Sequence, residues 1–214
     1  MNEYGPSEFT FETQVSRETL ARLATYVNLL TEWNERLNLV APSTIADVWR
    51  RHILDSAQIA PLIPPNAMSI VDLGSGAGFP GLVLAIMLAG RPGLTVHLVE
   101  STQKKCRFLE AVVAATGAPA QVHACRAEDM RLKADVVTAR ALAPLERLLS
   151  LAHPFFRPDT IALFLKGRSL NDELTLASKS WTLESTPIPS RSDPSGVVLR
   201  VTGLTPWRRS PKPS

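Results

Sequence analysis

Cysteine is scarce in this 214-residue chain: Cys106 and Cys125 are the only two, and they form no C-x-x-C pair. Two are too few for a disulfide framework, so the chain reads as one suited to a reducing compartment. The four histidines, His52, His97, His123 and His153, show neither an H-E-x-x-H motif nor i, i+4 pairing. No metal site is therefore expected. Long hydrophobic runs are missing as well. The longest, Leu82 to Ala89, falls far short of the roughly 20 residues that span a bilayer. No basic-then-apolar leader opens the chain, and internal repeats and low-complexity tracts are lacking. These absences remove the secreted, membrane and metalloprotein classes and leave the expectation of a soluble cytoplasmic protein.

What is present is ordinary for a globular domain: 45% hydrophobic residues, 20% charged residues and a formal net charge of +3. A balance this mildly basic tolerates a polyanionic partner without requiring one. Charge placement is uneven. Residues 1 to 15 carry Glu3, Glu8 and Glu12 without Lys or Arg, and the tail carries Arg208, Arg209 and Lys212 without an acid. Residues 1–15 are expected to be disordered, and 207–214 to be a mobile basic tail.

Between the ends the periodicity changes once. In 16–66, Leu20, Leu23, Val27, Leu30, Trp33 and Leu37 form one apolar helical stripe. Ser16 is the expected N-cap, Pro42 the expected stop, and a second helix is expected from Ser43 to before Pro61. In 67–206, short apolar runs alternate with helical stretches. Strands are expected at Ser69–Leu73, Thr95–Val99, Ala120–Ala124, Ala134–Thr138 and Thr160–Leu165. Helices are expected at Gly81–Ala89, Lys104–Thr116, Pro144–Ala152 and Ser169–Ser180. This alternation predicts an α/β fold, a Rossmann-like, mostly parallel sheet with helices on both faces. Trp181–Thr186 and Val197–Leu204 read as a C-terminal antiparallel hairpin at the sheet edge.

The most informative stretch is Ile70-Val71-Asp72-Leu73-Gly74-Ser75-Gly76-Ala77-Gly78-Phe79-Pro80-Gly81. An apolar strand ends in an acid, glycines alternate, and a helix opens. Such a loop presents bare backbone to a ligand at the carboxyl edge of a strand. Gly76-x-Gly78-x-x-Gly81 also satisfies the dinucleotide fingerprint, with Glu100 about 20 residues on. Two features oppose a diphosphate there: Pro80 lacks an N–H, and Asp72 is anionic. S-adenosylmethionine (SAM), with a sulfonium and an ammonium, suits the acid better. Asp72, Gly74, Gly76, Gly78 and Phe79 are thus cofactor candidates. Glu100 would accept from two ribose hydroxyls, and Ala127-Glu128 would frame an adenine.

The fourth strand ends Val136-Val137-Thr138-Ala139-Arg140-Ala141-Leu142-Ala143-Pro144. It has neither the [D/N]-P-P-[Y/F] signature of amine methylation nor a cysteine for a thiolate adduct. Cys106 and Cys125 read as buried filler. Arg140 either orients a base or phosphate or makes a surface ion pair. Guanine N7, with a free in-plane lone pair, fits a site without a general base.

These residues resemble the bacterial small-subunit ribosomal RNA guanine-N7 methyltransferases, the glucose-inhibited division protein B family. The matching pieces are Trp33-Asn34-x-x-Leu37-Asn38-Leu39, Arg51-His52-x-x-Asp55-Ser56, Asp72-x-Gly-Ser-Gly-x-Gly-Phe-Pro-Gly81, Glu100-Ser101-x-x-Lys104-Lys105, Arg126-x-Glu128, Arg140-Ala141 and Lys166-Gly167. The resemblance covers Leu20 to Arg168 and implies a class-I SAM-dependent methyltransferase fold. It further implies SAM contacts at Gly74, Phe79, Ala127, Glu128 and Arg140, and 16S rRNA as substrate, within a small ribosomal subunit or an assembly intermediate.

Candidates for contact with RNA follow from charge. Lys104, Lys105 and Arg107 open a helix, where each cation opposes the helix dipole at a cost of about 0.3–1 kcal/mol. RNA contact and a solvated face both account for them. Arg50 and Arg51 are further candidates. His52, Asp55 and Ser56 share a helical face, as a catalytic cluster or, by preference, a polar brace to the sheet. Lys166 either meets substrate phosphate or snorkels. The competing functions are a methyltransferase with another RNA target, a dinucleotide-dependent oxidoreductase, and a non-catalytic RNA-binding assembly module. The sequence leaves the target nucleotide and the oligomeric state open.

Overall fold

The computed structural model describes residues 4–207. Its centre is a seven-stranded sheet in the order β3-β2-β1-β4-β5-β7-β6. The strands are β1 Ser69–Leu73, β2 Thr95–Val99, β3 Ala120–His123, β4 Val136–Arg140, β5 Ile161–Lys166, β6 Trp181–Pro189 and β7 Val197–Pro206. β1 to β5 run parallel, while β7 is antiparallel to both β5 and β6. The chain winds outward from β1 to β3, then returns to β4 on the other side of β1. That reversal opens a crevice at the carboxyl ends of β1 and β4, where sheets of this kind bind ligands.

Helices α1 Pro6–Thr13, α2 Arg17–Leu37, α3 Asp55–Ala57, α4 Gly81–Met87, α5 Gln103–Thr116, α6 Leu145–Ala152 and α7 Leu170–Ala177 surround the sheet. None among the described residues is long and apolar enough to cross a membrane. Strand alternation divides the core in two. Ile70, Val96, Leu98, Val136, Leu163 and Leu165 pack toward α2, α4 and α5. Val71, Leu73, Val137, Ala139, Ala162 and Phe164 pack toward α6 and α7.

The same alternation decides where the polar strand residues point. Asp72, Thr138 and Arg140 fall on the α4 face, in step with Ile70 and Val136. Lys166 falls on the α6–α7 face, in step with Phe164.

The N-terminal expectation is overturned. Residues 6–13 are helical rather than disordered, with Pro6 at N1 and the Glu8 carboxylate accepting from the Gly5 N–H at 3.0 Å. Phe9 is fully buried, 5.5 Å from the Trp49 ring. Burying one such side chain contributes about 1.5–3 kcal/mol, an anchor that counting acids had overlooked. The expected tail lies outside the described residues beyond Trp207.

The second expected helix is also revised. Its span holds 3₁₀ turns at Pro42–Thr44 and Ala60–Leu62 and a π-helical stretch, Trp49–Leu54, that runs into α3. α2 starts as expected, the Ser16 hydroxyl accepting from the Thr19 N–H at 3.1 Å. It stops at left-handed Asn38 (φ 47°) rather than at Pro42. There the buried Asn34 side chain takes the Val40 N–H at 2.9 Å and turns the chain.

Candidate functional site

The glycine loop joins β1 to α4, and Gly74, Gly76 and Gly78 all take left-handed φ, 63°, 57° and 94°. At two positions an added side chain would collide with a neighbour. A Cβ at Gly74 would stand 2.4 Å from Leu142 Cδ1, just past β4. A Cβ at Gly81 would stand 2.8 Å from Asp72 Cβ and 2.4 Å from Leu98 Cδ2, both on the sheet.

Two cavities meet at this crevice. The first, about 360 Å³, has Gly74, Gly76, Glu100, Ala127 and Glu128 in its walls, together with Leu142 and Leu151. Five residues assigned from sequence to a cofactor thus come together in one place. Glu100 is 7% exposed; its Oε2 accepts from the Gly76 N–H at 3.0 Å and its Oε1 from the Thr102 N–H at 2.7 Å. Each oxygen keeps a lone pair for a further donor. Glu128 pairs with Arg147.

The second cavity, about 750 Å³, is lined by Arg50, Arg51, His52, Arg140 and Lys166, and by Asp47, Asp55, Ser192 and Asp193. Ala141 borders both spaces. Among the described residues it is also one of three non-glycine residues at positive φ, 52°. The backbone that turns there sends Arg140 to one side and Leu142 to the other.

Arg140 is the hub of the larger cavity. Its Nη1 donates to the Arg51 carbonyl at 3.3 Å, His52 Nδ1 at 3.1 Å and Asp55 Oδ2 at 3.2 Å. Its guanidinium lies 4.7 Å over the Phe79 ring, and the same ring stacks on His52 at 5.0 Å. Because a guanidinium only donates, His52 Nδ1 is an acceptor. Thr44 Oγ1 donates to the Ala41 carbonyl at 2.7 Å, so its contact with His52 Nε2 at 2.8 Å takes a proton from the ring. The imidazole is neutral, and burial, then Arg140 and Arg51, lower its pKa to about 3. His52 and Asp55 therefore brace the N-terminal segment to the sheet while also walling the cavity, whereas Ser56 is fully buried and donates only to the His52 carbonyl at 2.7 Å.

Several candidates sit elsewhere than expected. Asp72 is fully buried behind the loop rather than in the cavity. Its Oδ1 accepts from the Thr138 hydroxyl at 2.8 Å, the residue across from it in the β1–β4 register. Its Oδ2 is a buried oxygen without a hydrogen-bond partner among the described residues. Burial raises its pKa to about 6 against the Thr138 bond, and from behind the loop Asp72 could reach a ligand only through its field and the shape of the loop. Gly78 packs beneath Tyr26 and Leu82.

Lys166 turns toward α7, as its strand parity dictates. Its Nζ pairs with Glu173 at 2.5 Å. The Lys104–Arg107 group is split: Lys104 and Arg107 are exposed, whereas Lys105 lines the smaller cavity. Arg50 donates to the Ser192 carbonyl at 3.3 Å and lies 5.9 Å over the Tyr4 ring. Cys125 is not buried filler but half-exposed in the wall of the smaller cavity. Cys106 is buried, its thiol donating to the Glu100 carbonyl at 3.1 Å.

Sequence reading missed Tyr26, which is fully buried and donates to the Ala77 carbonyl of the glycine loop. It also missed Ser192, in the loop between β6 and β7. Tyr26 stands three residues after Leu23 in the helical stripe, the one signal that could have found it.

These residues suit SAM. Bare backbone at Gly74 and Gly76, the Glu100 carboxylate and the apolar Leu142 and Leu151 offer what its amino acid, ribose and adenine portions require. The partnerless Asp72 oxygen behind them favours a cation and disfavours a diphosphate.

Comparison with known proteins identifies the family. The family model described as GidB, rRNA small subunit methyltransferase G, matches residues 19–191. A ribosomal RNA small subunit methyltransferase G from Parvibaculum lavamentivorans is 55% identical over 199 residues, spanning 92% of this chain and 88% of that protein. Another, from Paramagnetospirillum magneticum, is 51% identical over 97% of this chain and 100% of its own length. The fold is similar to that of a SAM-dependent methyltransferase from Aquifex aeolicus, with a TM-score of 0.57 at 12% identity over 77% of this chain and 95% of that one. It is similar, too, to an O-methyltransferase from Bacillus cereus solved in complex with SAH, with a TM-score of 0.57 at 13% identity over 83% and 90%. The chain belongs to the rRNA small subunit methyltransferase G family.

Proposed function

We propose that this chain transfers the methyl group of SAM to N7 of a guanine in 16S rRNA, in the cytoplasm, within a small ribosomal subunit or an assembly intermediate. The observation that carries this reading is the shared wall at Ala141: a cavity suited to SAM abuts a larger, arginine-rich one. When bound, SAM supplies an electrophilic methyl group on a sulfonium. Gly74 and Gly76 leave the backbone open to it, and Glu100, Ala127 and Glu128 hold its ribose and adenine. Phe79 and Arg140 close the boundary with the RNA side.

Arg50, Arg51 and Arg140 supply positive charge for RNA phosphate and base. His52 is the imidazole of that cavity, and both its nitrogens are already engaged. A chain that commits its histidine in this way suits an acceptor that needs no proton removed, and guanine N7 is one. Catalysis then rests on positioning and on excluding water, not on a general base.

The test is methylation of small subunits and of deproteinised 16S rRNA with labelled SAM, followed by nucleoside mass spectrometry. Label in 7-methylguanosine supports the reading; label in any other nucleoside refutes the N7 assignment. A preference for the particle over bare RNA supports the ribosomal context.

A further inference from the structure

The β6–β7 loop that walls the larger cavity is held by the N-terminal segment. Arg191 pairs with Glu12 at 2.7 Å, and its N–H donates to Gln58 Oε1 at 2.8 Å. The Ser192 hydroxyl donates to Asp55 Oδ1 at 2.6 Å. The other oxygen of that same carboxylate, Asp55 Oδ2, accepts from Arg140 at 3.2 Å. One carboxylate therefore joins two parts of the site. Arg140 precedes Ala141, the residue common to both cavities, and stacks on Phe79 of the glycine loop. Ser192, in the β6–β7 loop, lines the larger cavity together with Arg140. Both side chains of the Asp55–Arg140 pair are 18% exposed, so bulk water screens the link only weakly.

We infer that Asp55 is a positioning residue that couples the methyl-donor side to the RNA side: anything that shifts Arg140 also shifts the Ser192 loop through one rigid carboxylate. This rests on reading the larger cavity as the RNA side. Binding in the smaller cavity fixes the Phe79–Arg140 edge, which fixes Asp55 and hence the loop, so RNA meets a wall already in place. Linkage makes the effect mutual, and RNA must tighten donor binding by the same factor.

The experiment measures the affinity of full-length protein for small-subunit rRNA with and without saturating S-adenosylhomocysteine, the demethylated donor. In the wild type the ligand is expected to tighten RNA binding by about fivefold or more. Ser192→Ala should bind the donor analogue normally without RNA, yet lose that tightening. Ser192→Thr, which keeps the hydroxyl, should restore it. Asp55→Asn should weaken donor affinity and RNA affinity together, and adding Ser192→Ala to it should weaken RNA binding no further. If Asp55→Asn fails to fold, the Ser192 pair decides alone. Equal RNA affinity with and without ligand in the wild type, or undiminished tightening in Ser192→Ala, overturns the inference. A wild type that methylates rRNA yet shows no coupling refutes this inference alone. A wild type that neither binds nor methylates rRNA refutes the proposed function itself.

Discussion

The Tyr26 hydroxyl, on α2, donates to the carbonyl of Ala77 in the glycine loop. The ring of Tyr26 and that of Phe79, in the loop, have centroids 5.3 Å apart. The N-terminal segment therefore shapes the cofactor loop and is not an appendage to the sheet. Tyr26→Phe keeps the ring and leaves a buried carbonyl unpaired, which costs about 1–3 kcal/mol. Denaturant melts should show that loss. Calorimetry with S-adenosylhomocysteine should show weaker binding, and unchanged binding would mean the loop keeps its shape without the bond.

Asp72 and His52 predict opposite pH slopes. Asp72 has a folded pKa near 6, above its ordinary 3.8, so the native state holds the extra proton between those values. Its contribution to stability is present at low pH and lost as pH rises through about 6, an effect of about 3 kcal/mol. His52 has a folded pKa near 3, below its ordinary 6.5, so the unfolded state holds the extra proton. Its contribution is present above about 6.5 and is lost as pH falls toward 3. Urea melts from pH 4 to 8 should show the Asp72→Asn variant losing the first slope and His52→Gln losing the second. Parallel profiles for variant and wild type would refute these assignments.

The glycine loop should tolerate one alanine and reject another. A Cβ at Gly81 meets Asp72 Cβ and Leu98 Cδ2 inside the sheet, where neither can yield. Gly81→Ala should therefore cost about 3 kcal/mol or more and give little folded protein. A Cβ at Gly74 meets the end of the half-buried Leu142 side chain, which can swing. Gly74→Ala should fold, at about 1–2 kcal/mol of left-handed strain. The displaced Leu142 would enter the smaller cavity, weakening donor binding by about tenfold. Circular dichroism and donor titration on the two variants separate these outcomes.

Lys166 should prove structural. Its ammonium meets Glu173, whose two oxygens also accept from the Leu145 N–H at 2.6 Å and the Ser169 hydroxyl at 2.7 Å. Burial opposes ionisation of Glu173, yet Lys166 and these donors hold its pKa below the ordinary value. Lys166→Met should destabilise by about 3–5 kcal/mol by stranding a charge. Lys166→Met with Glu173→Gln should recover much of that. A large rise in KM for rRNA without loss of stability would instead return Lys166 to the RNA side.

Short-range pattern made much of the fold readable. Strand runs of Val, Ile and Leu, the Ser16 cap and the glycine alternation each act within a few residues, and they stand where expected except that β4 runs two residues later, Val136–Arg140 rather than Ala134–Thr138. The glycine loop was legible because positive φ at three alternating positions has a strong residue preference. The Asp55–Ser192 bond, across 137 residues, was not, because nothing local distinguishes a serine that caps a turn from one that reaches a distant carboxylate.

By itself, the sequence determined the order of strands and helices from β1 onward, the ligand loop and the family pattern, all of which depend on periodicity and backbone preference along the chain. Only the tertiary structure decided which way each polar group looks. Lys166 lines the larger cavity yet gives its ammonium to Glu173, Asp72 lies behind the loop and Arg140 reaches His52 and Asp55. In a pleated sheet a side chain's direction reverses with every residue, so it depends on which neighbour the strand pairs with and in what register.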